Sequence, residues 1–364
     1  MAADLGVAPD LALGAPRVGG RTAGRAWLVA TIALTVGAAA AAIALAPAGS
    51  APPPEGLAFL LFVGSSVHVA STGWFYTVPE MRAHMRRHRA RYVWWPVTLL
   101  AGAGAIAALT PRPVLYWLLL PYFGWQFFHY QKQNLGIAAL AASACRVAPL
   151  SRAERGALTA TGLAAVGALV ARPSQLQLPV ADIVRGPWSE IAWPVAALMF
   201  AASVATGIGC LARRVRADRP AGFCAAYLTS LFFGLPVFAF SSPYASVAGL
   251  TVAHGLQYLL LMGLVAGGGS GGMNRVIRLA ALCNIALLGG SLLSLASDQI
   301  VARPAGRILF GLFLGAVMAH FVIDAGIWRM RDRFPRAFLA ARVPYLVPAR
   351  PQSSPTDPSA PDIR

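Results

Sequence analysis

This chain predicts an all-α integral membrane protein of about ten transmembrane helices, with both termini cytoplasmic. Three observations predict it. The 364 residues are 57% hydrophobic and only 12% charged, with a mean hydropathy of +0.62. Apolar runs long enough for a hydrocarbon core of ~30 Å, which needs about 20 residues per helix, recur along the whole chain. The charges between the runs are also distributed unevenly, which sets an orientation.

The runs predict helices over 26–47, 56–78, 93–110, 113–131, 155–171, 190–212, 221–240, 244–266, 276–296 and 306–328. Pro52 to Pro54, the Arg-rich 82–91 stretch, Arg112-Pro113, the polar 172–189 segment, Arg213 to Arg219, Ser241 to Pro243, Gly267 to Gly272 and Arg303-Pro304 separate them. Residues 1–25 read as a disordered tail, 26–330 as the ten-helix domain, and 331–364 as a largely disordered cytoplasmic tail rich in Pro and Ser. The apolar run after Arg17, Arg21 and Arg25 is too long for a signal-peptide core and makes a first span. The 172–189 segment has the composition for a short interfacial helix around Trp188. Pro194 and Pro236 are placed to kink the sixth and seventh spans.

With both termini inside, 25 of the 30 Lys and Arg fall on the cytoplasmic side, leaving Arg112, Arg172, Arg185, Arg303 and Arg307 outside. That asymmetry is the positive-inside pattern, and it explains the net charge of +17 without nucleic acid, for which no motif is present. The basic loops suit anionic lipid headgroups. Cys145, Cys210, Cys224 and Cys283 show no CxxC spacing, so they indicate neither a disulfide framework nor a thiolate zinc site.

Histidine carries the chemistry. His68, His129, His254 and His320 lie about 12, 16, 10 and 14 residues into spans 2, 4, 8 and 10, which all run from outside to inside. At 1.5 Å per residue their depths differ by ~9 Å, so one layer can hold all four. His84 and His88 follow in the basic loop, one helical turn apart. Ionisable groups in hydrocarbon are costly and read as functional. Each membrane histidine has a polar residue at i+4 on the same face: Thr72, Gln133, Tyr258 and Asp324. These read as groups that orient the imidazoles, with Asp324 and Glu80 as carboxylate ligands. Gln257, Tyr258 and Gln133 are assigned hydrogen bonds to ligands or bound oxygen. Such a ligand set suits iron, zinc or copper, with non-haem iron, one ion or two, preferred and haem the runner-up.

The blander readings are helix–helix hydrogen bonding for single histidines, pairing of Asp324 with Arg329 or Arg331, and snorkelling of Lys132. Trp74, Trp94, Trp95, Trp125 and Trp328 read as interfacial anchors.

The strings WQFFHYQKQNLG (125–136), AHGLQYLLLMG (253–263) and AHFVIDAGIWRMRD (319–332) resemble segments of a broad group of bacterial polytopic His-rich membrane proteins, over most of spans 2 to 10. The layout is more distantly similar to the Brp/Blh-type membrane carotenoid dioxygenases, a resemblance that implies intramembrane histidines holding iron. It is also similar in general design to membrane oxidases of azoxy natural-product pathways, which implies antibiotic biosynthesis. The chain lacks the HxxHH box of membrane desaturases and hydroxylases.

The function expected is a cell-membrane, His-ligated oxygenase or oxidase acting on a lipophilic or amine- or hydrazine-type substrate, with a cytoplasmic reductase or partner enzyme. The alternatives are a transporter with a histidine proton relay, a haem-binding electron-transfer subunit and a non-catalytic scaffold. An inverted 5+5 repeat would move functional residues from even to odd spans in the second half, and the histidines stay on even ones.

Overall fold

The computed structural model describes residues 19–48, 51–178, 180, 187–269, 274–301 and 303–347. The described residues are helical, with no strand among them. In order the helices are α1 (Gly19–Ala44), α2 (Glu55–Thr77), α3 (Pro79–Arg87), α4 (Ala90–Leu109), α5 (Arg112–Ala144), α6 (Arg152–Ala171), α7 (Pro187–Arg213), α8 (Ala221–Leu231), α9 (Leu235–Ala239), α10 (Tyr244–Gly267), α11 (Arg275–Ser297), α12 (Pro304–Ile327) and α13 (Arg333–Arg342). Among the described residues, seven are long and apolar enough to cross a membrane: α1, α2, α4, α7, α10, α11 and α12. Leu288, Leu292 and Leu295 of α11 and Leu198 of α7 stand 66–71% exposed. An outward apolar face of that kind is what lipid covers and water does not.

The other three predicted spans are helical but differ from expectation. The 113–131 span becomes α5, 33 residues long, because its polar Gln131 to Asn134 run finds partners inside the bundle. Gln131 Nε2 donates to the Leu158 carbonyl at 2.6 Å, and Asn134 Nδ2 to the Tyr130 carbonyl at 3.0 Å. The 155–171 span is α6, opened by a capping box in which Ser151 and Glu154 exchange bonds at 3.2 and 2.7 Å. The 221–240 span breaks into α8 and α9 around Gly234 and Pro236. A Cβ at Gly234 would lie 2.9 Å from Ala165, so the break lets this segment press on α6. Gln175 holds the far side, donating to the carbonyls of Val237 and Phe240 at 3.1 and 2.9 Å. Pro194 sits inside the continuous α7, whose first turn includes Trp188, so the predicted separate helix there is the start of α7.

Two further expectations change. The C-terminal tail is structured over residues 333–347: Phe338, Leu339, Val343 and Leu346 of α13 and the turn after it are at most 5% exposed. Residues 1–18 and 348–364, expected to be disordered, lie outside the described residues. Trp74 is 1% exposed and belongs to the core, whereas Trp94 and Trp95 are exposed at 62% and 57%.

Close helix crossings rest on glycine. Gly311 and Gly315 of α12, a GxxxG pair, lie against the backbone at Ala103 and Leu100 of α4. Gly64 of α2 faces the backbone of α10, where an added Cβ would sit 2.6 Å from the Val252 Cα. Gly255, next to His254, returns the contact on the Gly64 carbonyl. Just before His68 the helix opens into a π turn over Val63–Val67. That extra residue rotates the C-terminal part of α2 by ~100° and turns His68 toward α10 and α12.

One end of the bundle collects the N-terminus of α1, α3, the α5–α6 connection, the α10–α11 connection and α13. Gly24 packs on Ala144 and Tyr345, Arg342 pairs with Glu80 at 3.2 Å, and the Arg342 backbone lies against Gly268. Buried Arg278 of α11 closes the C-terminus of α10, donating to Ala266 and Gly268 carbonyls at 2.8 and 3.1 Å. The α7–α8 connection joins the same end through Arg214, whose Nε and Nη2 meet Glu154 Oε1 and Oε2 at 2.6 and 2.8 Å. At the opposite end Arg307 donates to the Thr110 carbonyl.

Two outcomes are expected. Burial pushes the Glu154 carboxyl up, but Arg214 and the Ser151 cap outweigh it and hold its pKa below the ordinary carboxylate value. The pair therefore stabilises fully above that ordinary value, and its contribution is lost as pH falls through the depressed one. Arg214→Ala should cost on the order of 2 kcal/mol at pH 7, with the deficit in thermal unfolding temperature shrinking in acid. Gly64→Ala forces α2 and α10 apart. It should destabilise by ~1–3 kcal/mol, a fall in unfolding temperature that Gly37→Ala, whose Cβ meets open space, does not reproduce.

Candidate metal centre

Four helices carry one imidazole each into the same layer: His68 from α2, His129 from α5, His254 from α10 and His320 from α12. Three of these are 0–2% exposed. Their ring centroids form a closed quadrilateral: His68–His254 4.9 Å, His254–His129 5.2 Å, His129–His320 5.4 Å and His320–His68 5.1 Å, with His254–His320 at 6.5 Å across it. Imidazoles bound at 2.0–2.1 Å to one ion have centroids roughly 4.5 Å apart at a right angle, about 5 Å at a tetrahedral angle and about 6.4 Å across the metal. The observed spacings fall within that range. Ligand atoms of His68, His254 and His320 lie within 4.8 Å of one another, as do those of His129, His320 and Asp324. His320 belongs to both groups, which suits one ion better than two.

The nitrogens facing this space are unsatisfied. Both nitrogens of His68 and His254, and Nε2 of His129 and His320, are buried without a hydrogen-bond partner. An N–H of His68 is turned toward the Gly64 and Ser65 carbonyls but outside hydrogen-bond geometry. Buried polar atoms are almost always paired and each neutral ring has one lone-pair nitrogen, so four rings with orphaned nitrogens in one layer describe up to four donors for a cation.

Counting protons sharpens this at His320. Tyr258 donates its hydroxyl proton to Asp324 Oδ1 at 2.9 Å. The Tyr258 oxygen then accepts from Thr72 at 2.9 Å, and Thr72 in turn accepts from His320 Nδ1 at 2.7 Å. Each hydroxyl has one proton to give, so Nδ1 of His320 is the protonated nitrogen and Nε2 carries a free lone pair. That lone pair lies 3.6 Å from Asp324 Oδ2, and a cation between the two turns their repulsion into attraction.

Of the i+4 residues, Asp324 faces its own His320, while Thr72, Gln133 and Tyr258 act across helices. Thr72 orients His320, not its own His68. Gln133 Nε2 donates to the His254 carbonyl and to Gln257 Oε1, both at 2.9 Å, and Gln257 Nε2 donates to Thr35 at 2.7 Å. Gln257 and Gln133 brace the backbone that carries His254. Asp324 does not pair with Arg329 or Arg331, which reach Asp332 at 3.7 and 3.9 Å. Thr35 and Asn134 complete this polar layer and were missed in the sequence, because neither lies at helical spacing from a histidine.

His84, His88 and Glu80 are placed elsewhere. His84 stacks on Phe334 of α13 with centroids 4.1 Å apart and planes 5° from parallel, and on its other side meets His88 at 4.3 Å. Nδ1 of His88 lies 3.0 Å from the His84 carbonyl. Burial, then the adjacent His88, lowers the His84 pKa against a smaller opposing effect of Asp332. Glu80 is exposed and paired to Arg342. His84 and Glu80 fasten α13 to α3, and none of the three is in either ligand group.

A cleft of about 1460 Å³ opens beside the cluster, with α5 on one side and α4, α12 and α13 on the other. His129, Asp324, Tyr258 and Gln133 reach its lining. Trp125, Phe128, Phe321 and Leu261 make apolar wall, and Lys132, exposed with its ammonium over the Phe128 ring, is also in the lining. No family model, curated protein or solved structure matches the chain.

Thr72→Val removes the acceptor that fixes the His320 tautomer while preserving shape. A metal bound by His320 should then be held ~10–100-fold more weakly, read by competition with a chromogenic chelator. Thr72→Ser, which keeps the hydroxyl, should bind as wild type.

Proposed function

We propose that this protein is an integral-membrane oxidoreductase that holds a transition metal through His68, His129, His254 and His320, with Asp324 beside it. The observation that carries the reading is the convergence of four imidazoles whose buried nitrogens lack partners, one with its tautomer set by the Thr72–Tyr258–Asp324 chain, beside the inner end of the cleft. An all-imidazole set with one carboxylate suits iron, zinc or copper and not magnesium or calcium. Iron is the first choice, as the similarity to Brp/Blh-type dioxygenases implies, and one ion is preferred to two because His320 is shared. A bound iron supplies activation of dioxygen. The chain contributes the rest: four imidazoles in fixed orientation, Tyr258 and Asp324 at the cleft to hold or pass a proton, and an apolar wall of Trp125, Phe128 and Phe321 beside them. A cytoplasmic reductase would deliver any electrons required.

The haem alternative is disfavoured by the packing. Adjacent imidazoles contact one another edge to face, leaving no slot for a planar macrocycle between neighbours in the ring of four. The ten-crossing arrangement in the cell membrane, with both termini cytoplasmic, is supported by side: every segment assigned inside by charge meets another such segment at one end of the bundle, through Gly24, Glu80, Arg214, Gly268 and Tyr345.

Protein purified in detergent after growth in iron-supplemented medium should carry about one equivalent of metal and no Soret band. His254→Ala and Asp324→Asn should lose it, while His84→Ala keeps it. Less than ~0.3 equivalents of any transition metal in the wild type would reject the proposal.

A further inference from the structure

At the inner end of the cleft the hydrogen-bond donors and acceptors do not balance. His129, Gln133, Tyr258 and Asp324 bring polar groups to the lining there. Tyr258 is committed, accepting from Thr72 and donating to Asp324, each at 2.9 Å. Gln133 is committed on its nitrogen only. The His254 carbonyl can only accept, so Nε2 of Gln133 has to face it, and the second Nε2 proton goes to Gln257 Oε1, both at 2.9 Å. The amide orientation is thereby fixed, and Oε1 meets no donor among the described residues. Gln133 is only partly buried and lines the cleft, so that oxygen is the atom it presents there. His129 stands one helical turn away on the same face of α5, and the two side chains are not hydrogen-bonded to each other. A neutral His129 that offers the lone pair of its partnerless Nε2 to the cluster carries its proton on Nδ1, the nitrogen left for the cleft. Around the pair the wall is aromatic: Phe321 stacks on His129 with centroids 4.2 Å apart, Trp125 meets Phe321 at 5.5 Å, and Phe128 is in the lining.

We infer that the cleft takes a neutral lipophilic alcohol, its hydroxyl donating to Gln133 Oε1 and accepting from His129 Nδ1, its apolar body against Trp125, Phe128 and Phe321. The inference rests on the four-histidine cluster being the reacting centre, because the Gln133–His129 pair borders it. A hydroxyl has one proton to give and lone pairs to receive another, and this pair asks for both at once. An ether or ketone leaves Oε1 unpaired, and a hydrocarbon leaves both atoms so, at the desolvation cost that lets a hydrogen-bonding site reject analogues. An ammonium satisfies Oε1 but has no lone pair for the imidazole N–H.

Binding is tested on metal-stripped protein in zwitterionic nanodiscs, so that a failure of the metal proposal leaves this measurement intact. The probe is myristyl alcohol carrying a diazirine near its hydroxyl, photolysed in place and mapped by peptide mass spectrometry. Unlabelled myristyl alcohol, its methyl ether and myristylamine compete with it. Labelling should concentrate on the cleft-lining positions between Trp125 and Gln133 and between Phe321 and Trp328. The alcohol should displace the probe at ~10-fold lower concentration than the ether, with the amine no better than the ether. Gln133→Leu should bring alcohol and ether together. Gln257→Leu, which removes an inner partner of the Gln133 amide but keeps Oε1, should retain the preference, so that a loosened α10 is not mistaken for a lost acceptor. The wild-type comparison stands whatever either variant does to folding. Equal competition by alcohol and ether in the wild type, a preference unchanged in Gln133→Leu, or labelling spread over the lipid-facing helices without a maximum at the cleft overturns the inference.

Discussion

Four imidazoles and a carboxylate enclosed in an apolar bundle are the constraint on which the rest of this structure depends. Burying a polar nitrogen without a partner costs on the order of 1–3 kcal/mol in a protein, and the four rings carry six such atoms here. Helices that converge on so unfavourable a layer need compensation from packing, and the glycine crossings supply it where the cluster requires it. Gly64 and Gly255 bring α2 and α10 into backbone contact within a few residues of His68 and His254, and Gly311 and Gly315 seat α12 on α4 above His320. The π turn before His68 belongs to the same arrangement. It is a local departure from ideal helix that aims one ligand.

The polar groups around the layer divide into two circuits. Thr72, Tyr258 and Asp324 form a directed chain that gives His320 a single protonation state. Gln133, Gln257 and Thr35 brace the α10 backbone from α5 and α1. The first circuit controls chemistry at a nitrogen and the second controls position. Their separation explains why a threonine on one helix matters to a histidine on another. At the basic end of the bundle, α13 is fastened by the His84–Phe334 stack and the Glu80–Arg342 pair and forms one wall of the cleft. Residues that looked like extra ligands are thus part of the support for the entrance.

Much of this was legible in the chain. Apolar runs placed helices at each of ten expected segments, and the histidines were recognisable as the costly groups among them. Loop charge sorted the connections into two groups, and the members of the basic group meet one another at one end of the bundle. Less legible were α5, which continues through Gln131 to Asn134 because those side chains bond to neighbouring helices, and α13, whose arginines masked an apolar face carrying Phe338 and Leu339. A GxxxG pair at 311–315 was present to be read as a close crossing.

By itself the sequence determined that long apolar helices must form, because a backbone without water has to bond within its own segment. It also determined which residues were the strongest candidate ligands, since imidazole and carboxylate suit the transition metals considered. Tertiary structure decided which of them meet. His84, His88 and Glu80 have the same chemistry as the clustered residues but lie in and just after α3, where His84 meets Phe334 and Glu80 meets Arg342, and Thr72 serves His320 because α2 and α12 meet there. Spacing along one helix constrains only that helix's own face; the rotation and approach of its neighbours, set by glycine contacts and a π turn, select the partners.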